Sequence, residues 1–378
     1  MSNFVLYRLP HSDRYVRLVQ HSGHPEMVTG VADLSGKSGF VFAPFVENKE
    51  CPLLLLHPDE REEERLTDSP AIAVDPCQAI QKGQPLRNEH KAAPLQASET
   101  EYGDYAIDYA NFHAHLEDGE FQKIVLARRS RVALAPGTDA EALFFRACRL
   151  YPRLFIALVE MEDAGTWLMA TPEVLLEGDG MEWHTMALAG TMRLEGEALK
   201  TEGEFTTWSA KNIQEQRYVA TYITQCLEQF TDTFREEGPR TMRAADLVHL
   251  RSDFFFTLSD DRYLGDVLNR LHPTPAVCGL PKAATQAFIL ANEHAPRRYY
   301  SGFLGPLNPH EETHLFVSLR CMELHQDHAD LYAGGGLITD SRLASEWQET
   351  ENKLGTMRRV LVPLQGPSLV AARRRNAE

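Results

Sequence analysis

Short apolar segments with the character of β-strands recur along this chain and are separated by turn residues. Apolar runs of this length between turn signals are typical of strands. They are found at 124–134, 154–159, 166–170, 174–176, 254–258 and 315–320. Segments with helical periodicity are fewer and longer. The sequence therefore predicts a mixed α/β fold.

Two segments show helical spacing of apolar residues. In the first, the run from Tyr105 to Leu116 repeats apolar residues every three or four positions, and Gly119 is placed to end the helix. The second, 204–230, carries Glu215 on the same face as the apolar residues Val219, Tyr222 and Cys226. A buried carboxylate is costly without a partner, so we expect Glu215 to have one.

Composition and charge limit the classes of function. The chain has 378 residues, of which 24% are charged and 43% hydrophobic, as in ordinary globular proteins. Its formal net charge of −16 argues against a nucleic-acid partner and would repel a small anionic substrate at long range. An anion site would therefore need local positive groups or a metal.

The sequence gives no indication of a membrane or secretory role. Residues 1–10 lack the apolar core of a signal peptide, and no run of about 18 apolar residues occurs. The cysteines lie at 51, 77, 148, 226, 278 and 321, without a Cys-x-x-Cys pair. We expect reduced, mostly buried thiols in a cytoplasmic protein that does not contact a membrane.

The stretch 333–341, Ala-Gly-Gly-Gly-Leu-Ile-Thr-Asp-Ser, is the strongest local signal for a ligand site. A glycine run permits positive φ and lets successive N–H groups converge on an anion. Asp340 or Ser341 can cap the start of a following helix. We therefore predict an anion-binding loop that leads into a helix.

That helix carries Glu346, Glu349 and Lys353 at a spacing that places two carboxylates and an ammonium on one face. The face suits a metal and a ligand carboxylate. The same spacing fits a solvated charged stripe closed by an internal salt bridge. Residues elsewhere in the chain must decide between the two.

Several other pieces, each unremarkable alone, occur in a distinctive order. They are Lys123 ahead of Ile124-Val125-Leu126-Ala127-Arg128, Glu173 in Ala170-Thr171-Pro172-Glu173, Ala189-Gly190-Thr191, His249, the loop from Leu271 to Pro281, Arg320 in Val317-Ser318-Leu319-Arg320, and Glu-Trp-Gln-Glu-Thr-Glu-Asn-Lys at 346–353. Their order closely resembles that of the chorismate-utilising enzymes, specifically the isochorismate synthases. The resemblance covers about residues 103–362.

The resemblance implies a fold and a division of the chain. The fold is a single α/β (α+β) unit with two large antiparallel-rich sheets packed together, helices outside, and an active site in a cleft between subdomains. Residues 1–102, which include the mixed charge run 59–65, would form an N-terminal part of this fold. Residues 103–362 would be the chorismate-binding catalytic region, and 363–378 a frayed tail.

It also implies a reaction. Water adds at C2 of the chorismate ring while the C4 hydroxyl leaves, giving isochorismate reversibly and without a redox cofactor. Lys123 matches the general base, which must be a neutral amine, so its pKa has to be lowered. Glu173 matches the general acid, which has to stay protonated more than a free glutamate does.

The resemblance implies Mg²⁺ as the metal, because this hard cation prefers oxygen ligands. Glu215 and Glu349 match the metal carboxylates, and Glu346 matches a partner acting directly or through water. Asn212, one turn before Glu215, is a further candidate. The metal would let acidic side chains bind the ring carboxylate of a dianionic substrate.

The remaining matches are substrate-binding residues. Arg320, Lys353, Tyr300 and the amides near Gly335 and Gly336 match carboxylate-binding groups. Gly190, Thr191 and His249 also match substrate-site positions, His249 near the ring carboxylate and the metal. The loop from Leu271 to Pro281 is predicted to be rigid, because three prolines restrict φ, and Gly279 allows close backbone approach.

Three features distinguish the branches of the family. Ala189 stands where aminodeoxychorismate synthases carry a nucleophilic lysine. The Leu-Leu-Glu-Ser motif of anthranilate synthases is not found, and His-Pro-Thr-Pro-Ala replaces their Pro-Ala-Gly-Thr. Gln216 departs from the histidine that often follows the metal glutamate, so the support of that ligand differs.

Alternatives remain open at this point. Salicylate synthases share the Pro-rich loop, and anthranilate synthases or a non-catalytic chorismate-binding paralogue are further alternatives. The product could enter menaquinone, siderophore or salicylate synthesis, and overall resemblance favours menaquinone. No obligatory protein partner is expected.

Overall fold

The structure, a computed structural model, describes residues 3–68, 99–180, 182–193, 207–244 and 247–362. The predicted tail 363–378, Cys77 and the first residues of the predicted helix 204–230 lie outside these ranges. The other five cysteines are buried free thiols, as expected.

The described residues form strands and helices that alternate irregularly along the chain. The strands are β1 (Asn3–Arg8), β2 (Arg14–Gln20), β3 (Glu26–Val28), β4 (Gly39–Ala43), β5 (Leu53–Leu56), β6 (Glu60–Arg65), β7 (Lys123–Ala133), β8 (Phe155–Met161), β9 (Gly165–Thr171), β10 (Val174–Gly178), β11 (Trp183–Arg193), β12 (Phe234–Ala244), β13 (Leu247–Phe256), β14 (Gly279–Leu280), β15 (Phe303–Leu307), β16 (Thr313–Val317), β17 (Cys321–Leu324) and β18 (His328–Leu337). The α-helices are α1 (Glu99–Glu117), α2 (Ala140–Leu150), α3 (Ala210–Leu227), α4 (Leu264–Leu271), α5 (Lys282–Asn292) and α6 (Leu343–Leu361).

The strands build two nine-stranded sheets. The first has the order β14-β7-β18-β17-β9-β8-β1-β2-β6, and the second has the order β12-β13-β11-β10-β16-β15-β4-β5-β3. Every strand pair formed by the described residues is antiparallel. Strands from the first 65 residues enter both sheets, so the N-terminal part is woven into the same core.

The two sheets pack face to face through large side chains. Phe155 of β8 stacks on Phe316 of β16 with ring centroids 4.2 Å apart, and both rings are buried. Phe42 of β4 packs edge-on against Trp167 of β9, with ring centroids 6.4 Å apart. Because inward-facing residues alternate with outward-facing ones along a strand, each sheet also has an outer apolar face to cover.

Helices cover these outer faces. α3 and α4 pack on the second sheet through residues such as Ile223 and Leu268. α2 and α6 pack on the first sheet through Phe144 and Met357, and Phe112 of α1 packs beside β7. The layered architecture with helices outside is the one that the resemblance implies.

Several predicted boundaries need correction. The strand predicted at 315–320 ends at Val317, and Arg320 has φ 46°, outside any strand. The strand predicted at 254–258 is the end of the longer β13. The end predicted for the first helix is confirmed, because α1 ends at Glu117 and Gly119 has the positive φ (73°) expected there.

Residues 60–65 of the charge run form β6, an exposed edge strand, so the run is a solvated face of the first sheet. Charged side chains on an edge strand hinder pairing with another chain, which explains why so polar a segment can extend a sheet. None of the described helices has the length and apolar character needed to cross a membrane.

Candidate active site

A cavity with about 610 Å³ of empty space, part of it open to solvent, lies where residues of both sheets meet α3 and α6. Most of the predicted site residues line it: Glu173, Gly190, Thr191, Glu215, His249, Tyr300, Arg320, Gly336 and Lys353. Four predicted residues lie directly behind this lining and contact the lining residues or lie next to them: Lys123, Gly335, Glu346 and Glu349. The fold thus gathers residues separated by up to 230 positions in sequence.

A bulge in β11 shapes one side of the cavity. The pairing of β11 with β13 shifts register between Ala189 and Thr191, and Gly190 between them has φ 73°. Bulges redirect a strand and are frequent next to active sites. A side chain at Gly190 would also lie 3.1 Å from Cβ of Asn212, so glycine is required for α3 to approach.

His249 and Arg320 form a buried pair in the cavity. An Arg320 guanidinium nitrogen lies 2.6 Å from His249 Nε2, and His249 Nδ1 lies 3.1 Å from the Gly190 carbonyl oxygen. Since a guanidinium only donates, His249 accepts at Nε2 and donates from Nδ1, which fixes the neutral tautomer. Burial and the Arg320 charge lower the pKa of His249 well below its usual value.

Arg320 is held in an unusual conformation. Its left-handed φ of 46° costs a residue with a side chain roughly 1–2 kcal/mol. Its carbonyl accepts from the Ala170 amide at 3.1 Å, and its guanidinium donates to the Ala244 carbonyl at 3.3 Å. Burial lowers its pKa to about 10, so it stays cationic at neutral pH.

Glu173 lies at the turn between β9 and β10 and is fully enclosed. Its amide lies within 3.3 Å of the Thr171 hydroxyl, and its carbonyl accepts from the Val317 amide at 2.9 Å. Burial raises the pKa of its carboxyl to about 8, against the opposing charges of Lys123, Lys353 and Arg320. At neutral pH it is therefore mostly a protonated acid.

Lys123 begins β7 and is completely buried. Its ammonium donates to the Pro275 carbonyl at 2.7 Å and lies 3.3 Å from a Glu215 carboxylate oxygen. Burial lowers the pKa of Lys123, and Glu215 partly opposes that shift. Glu215 thus has the partner that its place on an apolar helix face required.

The Pro-rich loop that accepts from Lys123 is fixed to the same strand. Its end forms β14, in which Leu280 pairs with Lys123 and Gly279 pairs with Ile124. A Cβ on Gly279 would lie 2.4 Å from the Lys123 carbonyl oxygen, so the close backbone approach predicted for this glycine is present. The loop therefore holds Pro275 against Lys123.

The glycine run 334–336 is not the positive-φ loop that its sequence predicts. It is part of β18 and pairs with β7, and none of these three glycines has a positive φ. The glycines are needed for space instead. A Cβ on Gly336 would lie 2.1 Å from a Glu215 oxygen and 2.8 Å from Lys123 Cε, and one on Gly334 would lie 2.8 Å from the Tyr300 hydroxyl.

The strand pairing also corrects the role of the glycine amides. Opposite residues alternate between hydrogen-bonded and non-hydrogen-bonded pairs in an antiparallel ladder. The Gly334 carbonyl accepts from Lys353 at 2.8 Å, and the amide of its partner Ala127 donates to Glu293, so their pair is not hydrogen-bonded. The Gly336 amide therefore points away from β7, whereas the Gly335 amide belongs to the sheet and is not free to bind an anion.

The predicted cap of α6 is also wrong. The residue before the helix is Arg342, and it makes no side-chain capping hydrogen bond. The Ser341 hydroxyl accepts from the Ile338 amide at 3.1 Å and so stabilises the turn between β18 and the helix. Ser341 therefore stabilises the turn by a hydrogen bond to the backbone just after β18, and it does not cap α6.

On α6 the predicted stripe faces the cavity side rather than solvent. Glu349 lies 2.7 Å from the Lys353 ammonium and accepts from the Thr191 hydroxyl, and these contacts lower its pKa despite its burial. Burial and the Glu349 charge raise the pKa of Glu346 above its usual value. One Glu346 oxygen, Oε2, is buried and has no hydrogen-bond partner among the described residues.

These carboxylates fit a hard divalent cation. A Cβ placed on Gly335 would lie 3.4 Å from Glu346 Oε2 and 3.7 Å from Glu349 Oε1, so both oxygens converge over this glycine. Glu215 lies against the neighbouring Gly336, where Lys123 also approaches. The paired carboxylates at Gly335, with an unpartnered oxygen and a further carboxylate nearby, are oxygen donors of the kind that Mg²⁺ prefers.

Sequence reasoning missed Lys211 and left the contact made by Gln216 open. Lys211 forms a direct ion pair with Glu346. It precedes Glu215 by four residues, and that spacing places both on one helix face, a usable signal. Gln216 donates to Ser252 of β13 at 2.8 Å, so it anchors α3 to the sheet.

Another group of potential metal ligands lies outside the cavity. His325, His328 and Asp330 meet at the hairpin between β17 and β18. Arg131 donates to both Asp330 oxygens, at 2.7 and 2.9 Å. This pairing already balances the Asp330 charge, and none of these residues lines the cavity.

Known proteins resemble this chain in sequence. The sequence profile of the family described as "Chorismate binding enzyme" matches residues 52–362. The chain is 30% identical to isochorismate synthase MenF of Escherichia coli K12 over 250 residues, which covers 65% of this chain and 57% of that protein. It is also 30% identical to the salicylate biosynthesis isochorismate synthase of Pseudomonas aeruginosa over 308 residues, which covers 79% and 64%. The matched part thus spans less than two thirds of both relatives.

Solved structures show the same fold. The structure of DhbC from Bacillus anthracis superposes with a TM-score of 0.76 at 20% identity and covers 95% of this chain and 96% of that one. The menaquinone-specific isochorismate synthase MenF of Escherichia coli gives 0.73 at 24% identity, covering 96% and 89%. Anthranilate synthase component I of Streptococcus pneumoniae gives 0.68 at 16% identity, covering 94% and 92%, so the fold is common to different reactions.

Proposed function

The chain belongs to the chorismate-binding enzyme family, and we propose that it is an isochorismate synthase, an isomerase that interconverts chorismate and isochorismate. The observation that carries the proposal is the combination of Lys123 and Glu173. Both are buried at one cavity, and the pKa of each is shifted toward its neutral form. The reaction needs a neutral base and a neutral acid together, and burial shifts the pKa of each residue in the direction that its role requires.

In the proposed reaction, neutral Lys123 accepts a proton from water as the water oxygen bonds to C2 of the ring. Protonated Glu173 donates its proton to the C4 hydroxyl, which leaves as water. Lys123 then carries a proton from the attacking water, and Glu173 has lost its own to the departing water. Lys123 must release a proton and Glu173 must take one up from solvent before the next turnover in the same direction. Ala189 offers no nucleophile, so a covalent enzyme intermediate at this position is excluded.

The substrate carboxylates need positive partners in a protein of net charge −16. Arg320 and Lys353 line the cavity and supply charge, and the Gly336 amide and the Tyr300 hydroxyl supply donors. His249, held neutral by Arg320, orients that guanidinium rather than adding charge. These groups bind and orient the substrate and do not take part in proton transfer.

We further propose Mg²⁺ as the cofactor, held by Glu215, Glu349 and Glu346. Bound there, it would neutralise the acidic cluster and attract the ring carboxylate of the substrate. Asn212 is buried one turn before Glu215 and would support this ligand from the same helix. Removal of the metal with a chelator is expected to abolish turnover, and added Mg²⁺ to restore it.

The pathway that uses the product is a finer proposal. We favour menaquinone synthesis on the overall resemblance, together with the likeness to MenF. The similarity to a salicylate biosynthesis protein at equal identity keeps the other pathways as outcomes to be tested.

The decisive experiment incubates the purified protein with chorismate and Mg²⁺ and separates the products by chromatography. Parallel reactions contain a chelator, or ammonia, or the Lys123→Met variant. We expect isochorismate in equilibrium with chorismate, only with metal and not with the variant. Salicylate with pyruvate, or anthranilate formed only with ammonia, would reassign the protein within the family, and bound but unconverted chorismate would indicate a binding paralogue.

A further inference from the structure

Each carboxylate of the proposed metal cluster contacts a lysine of its own. Glu215 lies 3.3 Å from Lys123, Glu349 lies 2.7 Å from Lys353, and Glu346 forms a direct ion pair with Lys211. Lys123 and Lys353 have assigned places in the proposed reaction and substrate site. Lys211 has none, although it is the lysine that faces the carboxylate with the unpartnered oxygen.

The Lys211 ammonium lies at the same carboxylate cluster. It pairs directly with Glu346, and the charges of Glu215 and Glu349 also act on it. It therefore lies in the negative potential of the cluster. A divalent cation bound by the same three side chains would need that region, and two cations at close range repel one another.

Lys211 is also held by fewer contacts than the other two lysines. Lys123 is fully buried and bonded to Pro275, and Lys353 is bonded to the Gly334 carbonyl. Lys211 lies in the first turn of α3, its side chain is 22% exposed, and among the described residues its hydrogen bond and ion pair are to Glu346 alone. Rotation of its side chain would free the Glu346 oxygens.

We propose that Lys211 is an internal counter-cation that competes with the divalent metal for the Glu215, Glu346 and Glu349 cluster. It neutralises the carboxylates before the metal binds and withdraws from Glu346 when the metal arrives. Lys211 thereby sets the metal affinity without contacting substrate. The inference rests on the proposed function only in assuming that a metal binds at this cluster.

The test measures Mn²⁺ binding to the full chain by titration calorimetry and by the EPR signal of free Mn²⁺. Three forms are compared: wild type, Lys211→Met, and Arg217→Met as a matched control. Arg217 lies on the same helix and pairs with Glu236 at 3.0 Å on the surface, so its loss removes an equal charge away from the cluster. We expect Lys211→Met to bind Mn²⁺ about tenfold more tightly than either other form, because a like charge has been removed from the site.

The same substitution should lower Tm without added metal, since the carboxylates then repel one another, and Mn²⁺ should raise Tm more than in wild type. Lys211→Gln keeps a donor for Glu346 without the charge and should tighten Mn²⁺ binding as well. A Kd within twofold of the control, or weaker binding in both variants, would overturn the proposal. Weaker binding would make Lys211 a support for the metal ligands.

A measurement on the unaltered protein covers the case in which the variants do not fold. A crystal structure with Mn²⁺ at the cluster should show the Lys211 ammonium displaced from Glu346, and an intact ion pair beside the bound ion would refute the competition. Turnover of chorismate is assayed separately. If the wild type makes no isochorismate but Lys211→Met still binds Mn²⁺ more tightly than wild type, the proposed function is wrong and the inference about Lys211 holds.

Discussion

At the scale of single residues, the two proposed proton-transfer groups share one physical device. Lys123 and Glu173 are both enclosed, and removal from water disfavours the charged form of each. The pKa of the lysine falls and the pKa of the glutamate rises to about 8, so the two shifts have opposite directions but the same cause. An exposed lysine and glutamate would both be charged at neutral pH and could not serve these roles.

Lys123→Met should abolish turnover. A general base contributes about 10²–10⁴-fold to a rate, so we expect kcat to fall at least a hundredfold. The change also leaves the buried Glu215 carboxylate without its partner. The fold is therefore checked by circular dichroism, and the Lys123→Met/Glu215→Gln double variant removes both charges of the pair together. Lys37→Met, which removes a lysine paired with Glu26 far from the cavity residues, serves as the control. Activity of Lys123→Met within tenfold of wild type would refute the role of base.

Glu173→Gln should change both rate and pH dependence. We expect kcat to fall about 10²–10⁴-fold, because the amide cannot donate the proton. In wild type, kcat should decline as pH rises through about 8, the pKa of this acid, and the small residual rate of the variant should lack that decline. A wild-type profile that stays flat to pH 9 would contradict the assignment. Glu117→Gln, at a surface position, is the control.

The same group should be visible in stability. The pKa of Glu173 is about 8 when folded and 4.5 as an ordinary glutamate, so the folded state binds the proton more tightly. Its contribution to stability is therefore complete below about pH 4.5 and is lost as pH rises through about 8. As pH rises between these values, the free energy of unfolding, measured with urea, should fall less for Glu173→Gln than for wild type.

At the scale of elements, β18 and α6 act together. The glycines of β18 remove side chains where Lys123, Glu215 and Tyr300 must enter, and α6 lies against the same strand and supplies Glu346, Glu349 and Lys353. A strand so poor in side chains is intrinsically weak, because glycine loses more entropy on folding than other residues. Its pairing with β7 along ten consecutive residue pairs offsets that weakness.

Gly336→Ala should therefore disrupt the active site and leave elements that are distant from it unchanged. Its Cβ would overlap Glu215 and Lys123, both held by other contacts, so we expect a large loss of turnover and weaker metal binding. Gly355→Ala on α6 is the matched control, since nothing lies within 4 Å of the new Cβ. In a helix interior that change should raise the free energy of unfolding by about 0.5–1 kcal/mol and leave activity intact. Equal activity of the two variants would contradict the steric argument.

At the scale of the whole molecule, the site depends on the packing of one sheet against the other. Glu173 and His249 lie on or beside strands of the second sheet, whereas Lys123 and Gly336 belong to the first. Their separation is fixed by the aromatic layer between the sheets, in which Phe155 stacks on Phe316. The aromatic layer thus determines the geometry of the cavity as well as stability.

Phe316→Ala tests this dependence. Truncation of a buried phenylalanine leaves a cavity and should reduce the free energy of unfolding by about 3–5 kcal/mol, measured by chemical denaturation. Because Phe316 precedes Val317, whose amide holds the Glu173 carbonyl, turnover should also fall at temperatures where the variant remains folded. Tyr263→Ala, at a residue 45% exposed, should change stability by less than about 0.5 kcal/mol. An equally small change in the free energy of unfolding for Phe316→Ala would show that other contacts hold the two sheets together.

What the sequence determined by itself was local and chemical. Apolar runs predicted six of the eighteen strands in the described residues and the mixed α/β class, the period of 105–116 predicted a helix, and the spacing of Glu346, Glu349 and Lys353 placed them on one face. The order of short motifs indicated the family and nearly all the residues that the fold gathers around the cavity. These features depend on neighbouring positions, so they can be read from the chain.

Tertiary structure alone decided what each residue meets. The glycine run looked like an anion loop, because local rules favour positive φ, yet its glycines are required by Glu215, Lys123 and Tyr300 from distant segments. The shifted pKa values of Glu173 and Lys123 arise from burial between two sheets, and the Lys211 ion pair joins α3 to α6. Contacts across more than a hundred residues have no local signature, which is why only the folded chain shows them.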